Sequence, residues 1–237
     1  MEVPPRSRLS SASVALNCNA RKKQNVLNSQ LLIACSLGEI DDIKAALSAG
    51  ASLQSRTKDK DTVLHLACGG SKIDRIDIVM FLIGKGANIN ARNKDHETPL
   101  MIASSGNVPA LCEILVESGA STSTGTSFSG SHALHFAAAH GNLSLALKLL
   151  AYGADPQVQN KSGDTPFDLA ARDGNVAIAA VLIELVGDDT RARVRNMCEH
   201  KNLDSMLALF QARDARIAID SIFPEAPLRK IKTALMC

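Results

Sequence analysis

Tryptophan is absent from these 237 residues, tyrosine occurs once, at Tyr152, and phenylalanine six times. So few aromatics argue against a nucleic-acid reader built on stacking rings. They also leave the apolar content to Leu, Ile, Val and abundant Ala, a mixture that suits closely packed helices better than sheets. No apolar run approaches the roughly 18 residues of a membrane span. The segment "ASVAL" near the start is too short for a secretory h-region. Cysteines 18, 35, 68, 112, 198 and 237 form no C-x-x-C pair. Several fall inside apolar helical patterns, where a free thiol behaves as a small buried hydrophobe. A reducing, intracellular compartment, cytoplasmic or nuclear, is expected. An organelle transit peptide is the lesser alternative, because Glu2 interrupts the Ser- and Arg-containing start. Also missing are the phosphate loop G-x-x-x-x-G-K-[ST], the zinc motif H-E-x-x-H and the dinucleotide glycine fingerprint. "GTSFSG" does not have the spacing of a nucleophile elbow.

The formal charge of +2 is too small to imply a partner, but it is unevenly spread. Residues 1–24 carry five basic side chains against Glu2, a net of +4, whereas residues 25–187 carry 12 basic and 16 acidic, a net of −4. A basic leader over residues 1–25, expected to be disordered, precedes a mildly acidic body. Nucleic-acid binding through that leader and "RARVR" (191–195) is one alternative; the acidic body and the lack of stacking rings oppose it.

What the chain does have is a repeat. Similar segments start at Ser29, Thr62, Thr98, His132 and Thr165, giving steps of 33, 36, 34 and 33 residues. A fixed period of this size marks a repeat solenoid. Thr98-Pro99 and Thr165-Pro166 read as an N-cap followed by proline at the first helical position. A short helix follows and stops at Gly38, Gly106, Gly141 or Gly174, where a left-handed backbone is expected. A second helix shows apolar spacing, as in Ile40, Ile43, Leu47 and in Leu143, Ala146, Leu150. It closes at Gly50, Gly86, Gly119 or Gly153, and a polar stretch leads to the next cap. Repeat two carries about three extra residues in "GGSKIDRID", repeat three reads as having a shorter first helix, and "STSTGTSFSGS" reads as a flexible connection. Such a hairpin cannot bury its apolar face alone, so the units make sense only as a stack.

These residues resemble ankyrin repeats, through Thr62-Val-Leu-His65-Leu-Ala67, Ala133-Leu134-His135-Phe-Ala137, Gly86-Ala87-Asn88 and Gly153-Ala154-Asp155. The resemblance covers roughly residues 26–187 in five repeats. Residues 188–237 read as a degenerate sixth repeat (192–212, with "HKNLDSMLALF" echoing "HGNLSLALKLL") and C-terminal capping helices. The expected fold class is all-α, an ankyrin-type solenoid of stacked helix-turn-helix units with hairpin fingers.

His132, His135 and His140 crowd together, yet they are expected to be scaffold. The resemblance gives His65 and His135 the role of a histidine that hydrogen-bonds backbone and ties neighbouring turns together. His140 falls around a different side of the helix from His135, and zinc needs three or four converging ligands. Cys35 and Cys68 share one slot of the repeat, which explains them without redox chemistry. Asp41-Asp42 and Asp188-Asp189 complement helix starts. No catalytic residue, metal site or cofactor is expected.

The resemblance directs attention to the finger tips and the inner face of the first helices. By register the candidate partner-binding residues are Arg56, Lys58, Asp59 and Asp61, then Arg92, Lys94, Asp95 and Glu97. Leu37, His140, Arg172 and Asp173 join them at the ends of first helices. The reading is a non-enzymatic adaptor, scaffold or inhibitor, monomeric alone, that holds a protein or peptide on its concave face. A catalytic or enzyme-associated role of the C-terminal 50 residues is the alternative from another class; Cys198 and His200 there have no spacing that builds a nucleophile–base pair.

Overall fold

The computed structural model describes residues 11–70 and 75–186. Within them lie α1 (Ser11–Leu37), α2 (Ile40–Ser48), α3 (Val63–Cys68), α4 (Ile76–Gly84), α5 (Pro99–Ser105), α6 (Pro109–Glu117), α7 (Ala133–Ala139), α8 (Leu143–Ala151), α9 (Pro166–Arg172) and α10 (Val176–Val186). Among the described residues there is no strand, and an isolated antiparallel bridge joins Arg56 to Thr62. Odd-numbered helices pack in one row, α1 on α3, α3 on α5, α5 on α7 and α7 on α9. A second row runs α4 on α6, α6 on α8 and α8 on α10.

The short odd-numbered helices exist because their free N–H groups are answered locally. Thr98 Oγ1 accepts the Met101 N–H at 3.4 Å, behind Pro99. At α9 the box is reciprocal: Thr165 Oγ1 accepts the Asp168 N–H at 3.3 Å, and the Asp168 carboxylate accepts the Thr165 N–H at 2.7 Å. His132 occupies the same cap position in front of α7, in extended conformation. The residue two places after the start of each repeat (Leu31, Leu64, Leu100, Leu134, Phe167) is at most 1% exposed and forms the axis of the inner row. Ile43, Val79, Cys112, Ala146 and Ala179 are the buried counterparts in the second row.

Three expectations change. Helix α1 begins at Ser11, so residues 11–25 of the expected disordered leader are helical. The Gln24 side chain reaches the Gly50 carbonyl at 2.9 Å and Asn28 Oδ1 accepts the Ser52 N–H at 2.9 Å, fastening this extension to the far end of its own repeat. Helix α5 is not shortened: it has seven residues, as do α7 and α9. The left-handed stop in repeat three falls on Asn107 (φ 52°), one residue beyond Gly106 (φ −73°), because asparagine tolerates that conformation and the chain needs it only after a full-length helix. The extra residues of repeat two fall largely at 71–74, and these, the degenerate sixth repeat and the capping helices lie outside the described residues.

Repeat one has the character of a terminal repeat. Asp42 is exposed where Ile78, Leu111, Leu145 and Ile178 are at most 2% exposed, and Gln30 is exposed where Val63, Pro99, Ala133 and Pro166 are buried. Both polar groups line the shallow groove on the outer flank of α1 and α2, among Leu27, Ile33 and Leu37. An open stack end needs such a polar face to stay dispersed. The double variant Gln30→Val, Asp42→Leu is expected to fold but to self-associate with rising concentration in sedimentation velocity, where the parent does not. An unchanged sedimentation coefficient would remove the capping role from these two residues.

Candidate functional site

Between the helix pairs the chain makes four tight turns, at residues 57–61, 93–97, 126–131 and 160–164. Each is closed by its own backbone: Thr57 N–H to Asp61 O (3.0 Å), Asn93 to Glu97 (3.1 Å), Thr126 to Ser131 (3.0 Å) and Asn160 to Asp164 (2.9 Å). Lys60 and His96 hold φ of 63° and 59° in the first two, and Gly163 adopts 81° in the fourth. Each turn is also bonded to the next. The Lys94 N–H donates to Asp59 O at 2.7 Å, Ser127 N–H to Asp95 O at 3.0 Å, and Lys161 N–H to Ser129 O at 2.8 Å. The fingers therefore form one row, held tip to tip by main chain.

Side chains brace it further. Asn93 Oδ1 accepts the N–H groups of Asp95 (3.0 Å) and Glu97 (2.9 Å), while its Nδ2 donates to Asp61 Oδ1 at 3.0 Å and Glu97 Oε2 at 3.3 Å. Asn160 repeats the first arrangement, accepting from Ser162 and Asp164 at 2.9 Å each. Arg56 donates to the carbonyls of Lys60 at 3.2 Å and Arg92 at 3.0 Å, spanning two fingers.

The row is tied to the helices by histidines. His65 Nδ1 faces the Thr62 hydroxyl at 2.8 Å and accepts the Thr62 N–H at 3.2 Å, and its Nε2 donates to Glu97 O of the next finger at 2.9 Å. His135 does the same two array steps on, accepting the His132 N–H at 3.1 Å and reaching Asp164 O at 3.1 Å. Accepting at Nδ1 and donating at Nε2 fixes the neutral tautomer. Burial holds both imidazoles below their ordinary pKa, against a smaller upward pull from the carbonyl each meets. The His132 and His135 rings lie 5.7 Å apart, but both His135 nitrogens are already engaged. Among the described residues no three His, Cys, Asp or Glu side chains converge to hold a metal ion.

Family models described as ankyrin repeats match residues 31–126, in three copies, and residues 115–170. The chain belongs to the ankyrin-repeat family. Among relatives of this ankyrin array, the NAD-dependent deacetylase sir2B of Dictyostelium discoideum is 29% identical over 153 residues, which cover 63% of the chain and 16% of that protein. The ARF GTPase-activating protein GIT2 of Mus musculus is 39% identical over 72 residues, 30% of the chain and 10% of that protein. The chain thus spans a small fraction of the curated relatives it matches.

In the ankyrin frame the twelve candidate residues separate by what holds them. Arg56, Asp61 and Glu97 have their polar atoms committed to the finger scaffold. Lys58, Arg92 and Asp95 are exposed on the first two fingers, and Asp59 meets Lys94 only at 3.9 Å, with both side chains about two-thirds exposed. Leu37 is 59% exposed at the end of α1. His140 Nε2 donates to Ser105 O of the preceding repeat at 3.2 Å. Arg172 lies 3.5 Å from Asp164 and 3.8 Å from Asp173, so these two candidates at the end of α9 largely compensate each other.

Three residues escaped the sequence reading. Arg75, 6% exposed, threads its guanidinium between repeats one and two: Nη1 donates to the carbonyls of Cys35 (3.3 Å), Leu66 (2.9 Å) and Ala67 (3.4 Å), and Nη2 to Ser36 O (2.6 Å). Asn175, in the matching position of repeat five, caps Ala138 O and Ala139 O at 2.8 and 3.0 Å. A signal existed, since both open the second helix of their repeat, but a side chain reaching back one repeat leaves no local pattern. The third is Phe128, at the tip of the finger expected to be flexible. That finger is instead held by buried Thr122, Thr124, Thr126 and Ser131 and by the hydroxyl chain Thr126–Ser129–Ser131, at 2.8 and 2.9 Å.

Cys35, Cys68 and Cys112 are packing groups. Cys35, Cys68 and Cys112 are free and buried, and burial pushes Cys35 up to about 12 and Cys112 to about 11, with Cys68 also raised. Thiols so far above neutrality are poor nucleophiles. Among the described residues no helix is long and apolar enough to cross a membrane.

Proposed function

We propose that this chain is a non-enzymatic protein-binding module, an adaptor, scaffold or inhibitor, that holds a protein or peptide partner along its finger row and the adjoining inner ends of the odd-numbered helices. Ankyrin repeats are in general protein–protein interaction modules, and the particular reading rests on one observation. The fingers are cross-bonded through the main chain while Lys58, Arg92, Lys94 and Asp95 project from them exposed. Groups preset in this way lose little conformational freedom on docking, so modest contacts give useful affinity. Interspersed charges of both signs set register and steer encounter more than they add binding energy.

The test is affinity capture from native extract with the parent and with Lys58→Glu, Arg92→Glu, Lys94→Glu together. Arg172 is left intact because it already balances Asp164 and Asp173. Quantitative mass spectrometry is expected to show at least one prominent partner reduced about tenfold, at unchanged melting temperature, since exposed charges away from buried networks shift stability little. The same partners at the same yield would sink the finger reading.

A further inference from the structure

We infer that the outer flank of α1 and α2 is a docking groove for an amphipathic helix of a partner protein, acidic at one end of that helix and basic at the other. The groove shares no residue with the finger turns and is independent of the finger reading.

Six large apolar side chains are exposed among the described residues, and three of them, Val26, Ile33 and Leu37, belong to α1. Single exposed apolar groups are common on surfaces and need no partner. These three are a row: with Gln30 they occupy positions i, i+4, i+7 and i+11, one face of a helix. Helix α1 is also much longer than the odd-numbered helices behind it, 27 residues against six or seven. The bonds from Gln24 to Gly50 O and from the Ser52 N–H to Asn28 fasten its added turns to the stack, so the row is preset. Alongside it α2 turns Ala45 and Ala49 outward. The two helices bound a groove of about 450 Å³ between Leu27, Ile33 and Leu37 on one wall and Ala45 and Ala49 on the other. Small side chains on one wall let a third helix approach closely, since interaxial distance is set by the residues at the contact.

Charge at the two ends states the occupant's chemistry. No Asp or Glu occurs between Glu2 and Glu39, so Lys22 and Lys23, exposed one turn before Val26, have no acidic neighbour on α1. At the opposite end Glu39 and Asp42 are exposed, and Glu39 makes no cap bond with its side chain. Among the described residues no ion pair engages these four groups. The other charges nearby are spent elsewhere: Asp41 and Lys44 meet at 3.8 Å, and the buried Arg75 guanidinium donates to helix-end carbonyls. An apolar stripe with two lysines at one end and two carboxylates at the other calls for a helix with the same apolar spacing, acids over Lys22 and Lys23 and bases over Glu39 and Asp42. At 1.5 Å per residue the span from Lys22 to Leu37 is about 22 Å, or four turns of the partner.

Three stapled 18-residue peptides test this by fluorescence anisotropy on the full chain. All carry Leu at i, i+4, i+7 and i+11 on an Ala/Gln background. Their ends hold two Glu and two Arg, Glu at both ends, or Arg at both ends. The mixed peptide is expected to bind about tenfold tighter than either other. Ile33→Glu should abolish binding at the parent melting temperature, and Lys22→Glu with Lys23→Glu should make the all-Arg peptide the tightest, whichever way round the helix lies. Equal affinities for the three peptides, or no binding of the mixed one, would overturn the inference. So would concentration-dependent dimers of the parent that Ile33→Glu dissolves, which would give the groove to a second copy. Binding lost in the Lys58, Arg92, Lys94 triple variant but kept in Ile33→Glu would overturn it too, while leaving the finger reading in place.

Discussion

Arg75→Ala is expected to lower stability by about 3 kcal/mol or more, and the melting temperature by roughly 10 °C, although it removes no apolar core residue. The guanidinium is buried and, among the described residues, is answered by four carbonyl oxygens at the ends of α1 and α3. Those oxygens belong to the last turns of helices, which have no partner of their own and carry the negative end of the helix dipole. Truncating Arg75 leaves them buried and unanswered, at a cost of about 1–3 kcal/mol for each group that water cannot reach. Arg75→Lys keeps the charge but not the planar fork, and an intermediate loss is expected. Gly70→Ala should imitate the truncation from the other side, since a Cβ there would stand 1.9 Å from the guanidinium carbon. Urea denaturation of the three variants decides it. A midpoint for Arg75→Ala equal to that of the parent would mean that the carbonyls find other donors.

Replacing both His65 and His135 by alanine is expected to cost about 3–4 kcal/mol at neutral pH, roughly 2 for each buried bridge, and to flatten the acid limb of the stability curve. Each imidazole accepts a cap N–H and donates to the next finger, so its loss releases the helix start and the finger at once. Burial depresses both pKa values in the folded state, so the unfolded chain binds more protons in the window between the folded value and the ordinary imidazole value of about 6.5. Stability is therefore complete above about pH 6.5 and falls as the pH drops toward the folded pKa, by at most about 1.4 kcal/mol per pH unit for each histidine. Melting curves of parent and double variant at pH 7.5 and 5.5 should converge as the pH is lowered. His132, whose pKa burial also lowers, leaves the variant a smaller residual slope. Parallel curves at the two pH values would show that these bridges do not titrate with folding.

His135→Asp offers a milder comparison drawn from the chain itself. Repeat five carries Asp168 in this slot, where its carboxylate accepts the Thr165 N–H, and repeat three carries Met101, whose sulfur meets the Thr98 N–H at 3.4 Å. The slot supplies an acceptor for the cap in repeats two to five, whereas the further donation to the next finger is made by histidine only.

The steps between Ser29, Thr62, Thr98, His132 and Thr165 identified the fold, because a unit too small to bury its own face has to recur at a fixed interval to be stable at all. The threonine-proline starts and the closing glycines were legible for the same reason: they are solutions to backbone problems confined to a few residues. Gly106 shows the limit, since two adjacent residues could each end the helix and only the packed length of α5 selected Asn107. Gln30 and Asp42 were within reach of a closer alignment of the repeats, as polar residues in columns otherwise apolar.

The partner-binding candidates divided along the same line. Register alone put Arg56, Asp61, Lys58 and Lys94 on fingers, but which of them bond the scaffold and which face water depends on Asn93 and on the neighbouring turn. Phe128 sat in a serine-, threonine- and glycine-rich stretch whose composition reads as slack. Its rigidity comes from Asp95 O before it and the Lys161 N–H after it. By itself the sequence determined the repeat, its turns and its histidine slots, because these arise from periodicity and short-range backbone chemistry. The tertiary structure decided the inter-repeat clamp of Arg75, the continuity of the finger row and the poise of Phe128, because each depends on groups some 30 to 40 residues apart that only stacking brings within a hydrogen bond.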